Sequence, residues 1–321
     1  MSTRPDPEPS LQDEAARAGW LYYVGGLTQD QIAQDLGVSR QRAQRLVSRA
    51  MSEGLIHVRL NHRIGACVDL EKALTARFGL TRCRVAPDLG PGSDGVRAIA
   101  PAAAAEFERF LRMSDPLVLA LGTGRALRGM VDAVSDGIAA EHHRLVSLIG
   151  NIAPDGSASF FDVVMRLADK VRAPHYPMPV PVISSTPEEN AAFHALPPIR
   201  RVVDLARQAD VIFVGIGQMS DDAPLLKDGF VTRAELDAMQ VAGAVGEVAG
   251  WVFRHDGRYL EVGTNRRTGG VRVEPGLDRP AIGIAAGATK VPAIAGALTA
   301  RIVNGLVTDE PTARAVLALA G

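Results

Sequence analysis

Cysteine is scarce: the 321 residues hold two, Cys67 and Cys83, sixteen positions apart. No CxxC or histidine spacing accompanies them, which argues against a disulfide framework or a structural zinc site and makes a reducing cytoplasm the expected setting. Aromatic residues are few as well, at 5%. The abundant small residues suit close helix–sheet packing better than a β-sandwich. Charge of one sign is missing too, since the net charge is −1. No global basic field exists, so any nucleic-acid contact must come from a local patch. No run reaches the roughly 18 apolar residues of a membrane span; the nearest, AIGIAAGATKVPAIAGALTA, is broken by glycines and Lys290. The opening MSTRPDPEPS lacks an apolar signal core, and residues 1–10 are expected to be a disordered tail. What is present is length and apolar content. At 47% hydrophobic residues and roughly 100–200 residues per domain, two domains are expected.

The first 62 residues carry three helical patterns. LQDEAARAGWLYYVGG places Leu11, Ala15, Ala18, Leu21 and Tyr22 at helical spacing and stops at Gly25-Gly26. Thr28 is an N-cap with Gln31 in the capping-box position, and the short helix it opens closes at Gly37. Ser39 caps a third helix with Ala43, Leu46, Val47 and Ala50 on its inner face; Gly54 ends it, and LIHVRLNH alternates as a strand would. Helix, short helix, glycine turn, capped helix and ribbon make a winged helix-turn-helix, whose third helix enters the major groove of double-stranded DNA. From Ser39 to Arg63 there are six arginines against one acid, Glu53. The patch that the net charge withheld is therefore local. Thr28, Gln29, Ser39, Arg40, Gln41, Arg42, Gln44, Arg45 and Arg49 are the expected DNA contacts, because arginine and glutamine fork onto base edges and phosphates.

Beyond NHRIGA (61–66), read as a hinge, residues 63–321 alternate short apolar runs with helical patterns: PLVLALG, RLVSLIG, ADVIFVGIG and PAIGIAAG. Runs of this kind are parallel strands buried on both faces, and the fold expected is a Rossmann-like parallel sheet. Ligands in such sheets sit at the carboxyl ends of strands. Three of these ends stand out. Gly122, Thr123, Gly124 and Arg125 form a turn into a helix, where glycine lets backbone N–H groups approach an anion. Gly215 and Gly217 of VGIGQM bring backbone close to a ligand. GAVGEVAG holds Glu247 alone among small residues, a position expensive to bury unless it serves a site. Lys290 opens the last long helix, against its macrodipole, and is a candidate anion contact. The turn has neither the third glycine of a dinucleotide fingerprint nor a Walker lysine, so no nucleotide or other cofactor is expected, and no metal.

Together LYYVGGLTQDQIAQDLGVSRQRAQRLVSRAMSEGLI, the 122–125 turn, ADVIFVGIG, GAVGEVAGWVFRHDGR and AAGATKVPAIAGALTARIVNGLVTDEPTARAVLAL resemble the SorC-type, DeoR-like, sugar-binding transcription regulators over nearly the whole chain. The resemblance implies a C-terminal domain like the sugar-phosphate isomerase and CoA-transferase superfamily, used as a sensor. It implies a sugar phosphate, sugar or polyol effector, a homo-oligomer (dimer or tetramer), and operator affinity that changes on binding. The family's phosphate-cradling turn matches Gly122, Thr123, Gly124 and Arg125; its effector-contacting acid and lysine match Glu247 and Lys290. Two departures matter. The recognition helix reads Ser39-Arg40-Gln41-Arg42-Ala43-Gln44-Arg45-Leu46 where S-R-x-T-V-S-R-L is common, so operator preference does not transfer. Ala126 stands where many relatives have a hydroxyl, which leaves a non-phosphorylated polyol open as effector. The rival function class is a sugar-phosphate isomerase with Glu247 as base and Lys290 holding phosphate. No second acid pairs with Glu247 in the sequence, so a non-enzymatic regulator is expected.

Overall fold

The computed structural model describes residues 10–56, 65–90, 92–158, 163–261 and 263–319. Most of the expected wing, hinge and tail lies outside them; the last two residues of the expected hinge, Gly65 and Ala66, are instead the start of a helix. The chain divides into two compact units, Met1–His62 and Arg63–Gly321.

The first unit is built from α1 (Leu11–Tyr23), α2 (Gln29–Asp35) and α3 (Arg40–Ser52). Ser10, assigned to the tail from sequence, instead caps α1 in a reciprocal box with Asp13. Thr28 and Gln31 form the same box at α2, and the Ser39 hydroxyl accepts from Arg42 N–H at α3. Gly37, at φ +64°, makes the tight turn between α2 and α3. The core is Ala15, Ala18, Leu21, Ile32, Ala33, Ala43, Leu46, Val47 and Ala50. Leu11 and Tyr22 are exposed rather than inward; α1 turns Gly19 toward α3 instead, where a Cβ would stand 2.8 Å from that of Ala50. Small residues on both helices let them approach closely.

In the second unit, a seven-stranded sheet runs in the order β1-β10-β9-β5-β2-β3-β4, parallel throughout. Its strands are β1 (Arg82–Ala86), β2 (Val118–Leu121), β3 (Arg144–Ile152), β4 (His175–Pro181), β5 (Val211–Gly215), β9 (Ala281–Ile284) and β10 (Gly305–Asp309). The continuous apolar runs reflect burial on both faces. Val118, Ala120, Ile212 and Val214 pack into one core layer, while Leu119, Leu121, Val211 and Phe213 pack into the other, as a period of two requires. One layer is closed by α4 (Gly65–Phe78), α8 (Pro187–Ala195), α9 (Pro197–Arg207), α12 (Val291–Thr299) and α13 (Glu310–Leu319). The other is closed by α5 (Gly95–Leu111), α6 (Arg125–Ala133) and α7 (Val164–Val171), with Phe107 edge-on to Phe213 at 4.9 Å.

A second sheet of three antiparallel strands, β6 (Gly217–Gln218), β7 (Ala244–Val248) and β8 (Trp251–Arg254), was not legible in the sequence. Around it stand α10 (Pro224–Lys227) and α11 (Arg233–Val241). GAVGEVAG is therefore the central strand of this small sheet and not the end of a parallel strand. Among the described residues no helix is long and apolar enough to cross a membrane. Both cysteines are free and buried, and burial pushes the Cys83 thiol up to about 12, so it behaves as an inert core residue.

Candidate functional site

Two surfaces are candidates for function, one in each unit. On α3 the inner positions are buried, and Arg40, Gln41, Arg42, Gln44, Arg45 and Arg49 are exposed, as is Thr28 at the start of α2; Gln29 beside it is half-buried. The arginines are not equivalent. Arg40 pairs with Asp30 at 3.3 Å, Arg42 reaches back to Glu14 on α1 at 2.8 Å, and Arg49 holds Glu53 at 2.5 Å. Gln41, Gln44 and Arg45 make no side-chain hydrogen bond or ion pair with another described residue. Solvent-exposed pairs of this type contribute about 0–1 kcal/mol, so an arriving phosphate can displace them. Arg42 is nonetheless aimed at α1, which sequence reasoning did not foresee.

In the second unit, β2, β3 and β4 run to one edge while β5 lies on the other side of β2. The loops leaving β2 and β5 thus diverge, and the carboxyl ends of these two strands are where a ligand crevice is expected in such a sheet. Gly122 N–H donates to Phe213 C=O at 2.8 Å, which clamps the turn to β5. A Cβ at Gly122 would meet Val214 at 3.3 Å. Gly124, at φ +113°, is the N-cap of α6 and supplies no side-chain cap to the first-turn N–H groups of that helix.

From β5 the chain passes Gly215 and enters β6, where Gly217 lies opposite Glu247 on β7. The Glu247 carboxylate lies over Gly217: a Cβ there would fall 2.2 Å from Oε1. Gly250 N–H donates to Oε2 at 2.8 Å. Burial raises the Glu247 carboxyl above its ordinary value, against the opposing pull of that N–H and of Lys290.

Lys290 follows β9 through Gly287, which has φ +121° and whose N–H donates to the Thr312 hydroxyl at 2.8 Å. Lys290 sits at the N-cap of α12, and α13 still follows, so it does not open the last helix. Burial lowers its ammonium, Glu247 raises it, and the Arg125 charge lowers it further. The charges of Glu247, Lys290 and Arg125 therefore act on one another.

Two residues missed in the sequence complete it. Asp228, just past α10, accepts from Arg125 Nη2 at 3.0 Å and raises the Glu247 carboxyl. Asp94, the N-cap of α5, acts on Lys290. Nothing in the DG turn at 228–229 signals a partner 103 positions away. A groove of about 620 Å³ also lies between α9 and residues 268–279, but none of the eight expected effector residues lines it. Among the described residues no cluster of His, Cys, Asp or Glu is arranged to hold a metal.

The Sugar-bind family model, a sugar-binding domain, matches residues 62–318, and sigma-70 region 4 matches residues 20–53. The erythritol catabolism regulatory protein EryD of Brucella abortus (strain 2308) is 34% identical over 312 residues, covering 97% of this chain and 98% of its own. The chain belongs to the SorC family of sugar-binding transcriptional regulators. The transcriptional regulator LsrR of Enterobacter sp. (strain 638) is 33% identical over 315 residues, covering 97% and 94%. The full-length sorbitol operon regulator SorC of Klebsiella pneumoniae superposes with a TM-score of 0.72 at 25% identity, covering 94% of this chain and 97% of that one. As a SorC-family member, the chain is a transcriptional regulator that joins a helix-turn-helix to a mostly parallel α/β sugar-binding domain.

Proposed function

We propose that this regulator acts in the cytoplasm on an operon for carbohydrate or polyol catabolism. Residues 1–62 bind double-stranded operator DNA, and residues 63–321 bind a sugar or polyol, with or without phosphate, and assemble the homo-oligomer. The observation that carries the reading is the meeting of Arg125, Glu247 and Lys290 at the strand ends, beside the α6 N-terminus. Paired donors and acceptors of this kind suit a polyhydroxy ligand, since each hydroxyl both donates and accepts. Thr123, Gly215 and Gly217 complete the effector contacts in this reading, with Gly122 and Gly124 shaping the turn. At the DNA, Gln41, Gln44 and Arg45 reach base edges or phosphates; Thr28, Gln29, Ser39, Arg40, Arg42 and Arg49 hold the backbone and the helix in register. A dimer or tetramer supplies paired helices for two half-sites, and an effector that prefers one arrangement shifts operator affinity. The names of the relatives, which concern erythritol catabolism and the sorbitol operon, support the choice of ligand class.

No catalysis is required. The test is a panel of sugars, polyols and their phosphates scored by thermal shift, operator binding and mass analysis of products. A compound that stabilises the chain and alters operator affinity without turnover supports the reading. Turnover abolished by Glu247→Gln refutes it in favour of an isomerase.

A further inference from the structure

The Arg125–Asp228 pair bears on which effector class enters. Arg125 is the guanidinium of the glycine turn, the group best suited to fork a phosphate. In the structure its Nη2 is held at 3.0 Å by Asp228, whose side chain is the more buried of the two at 22% exposure against 50%. Asp228 arrives from the small-sheet lobe, on the loop between α10 and α11. The crevice thus brings two cations, Arg125 and Lys290, against two carboxylates, Asp228 and Glu247, with Asp94 adding a third negative charge within reach of Lys290. Among the described residues, each of these two cations already faces a carboxylate before any ligand arrives.

A phosphate ester brings about 1.5 to 2 further negative charges. It would meet a guanidinium already neutralised and a carboxylate at contact distance from it. Ala126 gives the first turn of α6 no hydroxyl donor to offset this. An uncharged polyol suffers no such conflict: its hydroxyls donate to the Asp228 and Glu247 carboxylates and accept from Lys290 and Arg125. We propose that Asp228 is a specificity-determining residue that occupies Arg125 as an internal anion and makes the crevice select uncharged polyhydroxy compounds over their phosphate esters. This rests on the assignment of the crevice as the effector site.

Inorganic phosphate is the direct probe, titrated calorimetrically at low ionic strength into the full chain, Asp228→Asn, and Asp228→Asn with Arg125→Gln. Asparagine keeps the shape of aspartate and removes its charge, and a thermal melt verifies folding; Asp228→Ser serves if the asparagine variant misfolds. The expected result is phosphate affinity about tenfold or more higher in Asp228→Asn than in the wild type, since a like charge at contact is removed. The gain is lost again in the double variant. Equal phosphate binding by wild type and Asp228→Asn overturns the proposal, as does no binding by either, or a gain that survives Arg125→Gln. Erythritol, sorbitol and their monophosphates form the second arm: a monophosphate that stabilises the wild type more than its parent polyol also overturns it. If the phosphate result holds while no sugar or polyol binds, the charge selection stands and the sensor assignment fails.

Discussion

Replacing Gly217 by alanine tests the proposed effector site where geometry is tightest. The new Cβ would lie 2.2 Å from Glu247 Oε1 and 2.9 Å from its carboxyl carbon. No pair of real atoms tolerates that separation, so something moves. The flexible carboxylate yields before the paired strands do, and in swinging aside it abandons the Gly250 N–H that holds it at 2.8 Å. A hydrogen bond to a charged group contributes about 1.5–3 kcal/mol. For stability, that loss is offset by release of a carboxylate whose burial is unfavourable, so the melting temperature should move by no more than about 2–4 °C, the shift expected for 1 kcal/mol in a domain this size. For binding there is no offset. An effector hydroxyl that Glu247 accepts loses a charged partner, and affinity should fall by about ten- to a hundredfold, at 1.4 kcal/mol per decade. Calorimetry with the stabilising polyol, alongside thermal melts, reads both quantities. Unchanged effector affinity in Gly217→Ala would refute the placement of Glu247 in the site.

Other outcomes follow from the same geometry. Arg45→Ala should weaken operator binding by about 1–3 kcal/mol if Arg45 meets a base, or lower the salt slope by about 1 if it meets phosphate. Arg42→Ala should weaken binding less, because Arg42 is already engaged by Glu14; fluorescence anisotropy across salt concentrations separates the two. Leu46→Ala, at a position 3% exposed, should cost about 2–5 kcal/mol, enough to unfold so small a unit. Operator binding should disappear while the polyol-induced thermal shift persists. The Glu247 carboxyl is raised on folding, so its contribution is fully present below the ordinary 4.5 and is lost as pH rises through the folded value. Glu247→Gln should remove that part of the pH dependence and be at least as stable as wild type at pH 7 in melts followed across pH, while losing effector affinity.

Much of the architecture could be read because its signals are local. Capping residues Thr28 and Ser39 sit beside the helices they start, and strands such as VLAL and VIFVG are apolar throughout because both faces are covered. The small antiparallel sheet escaped notice for the opposite reason: β6 has two residues and β7 is rich in small ones, so neither shows alternation. In the crevice, Glu247 and Lys290 were visible as isolated charges among small residues, where a charge demands a reason. Asp228 and Asp94 were not, since an acid in a turn or at an N-cap already has a local explanation. The pairing of Arg42 with Glu14 was equally hidden, because it depends on how α1 crosses α3.

Whether a polyol bound to the second unit controls operator binding can be measured on one DNA fragment. A DNA fragment selected by the full chain from a random-sequence pool is titrated with wild type and with Lys290→Met, each with and without saturating polyol. Polyol should change wild-type operator affinity by about fivefold or more, the usual lower range of allosteric coupling. Lys290→Met should bind the same DNA with unchanged affinity and no longer respond. A response that survives in Lys290→Met as fully as in wild type would contradict this role of Lys290.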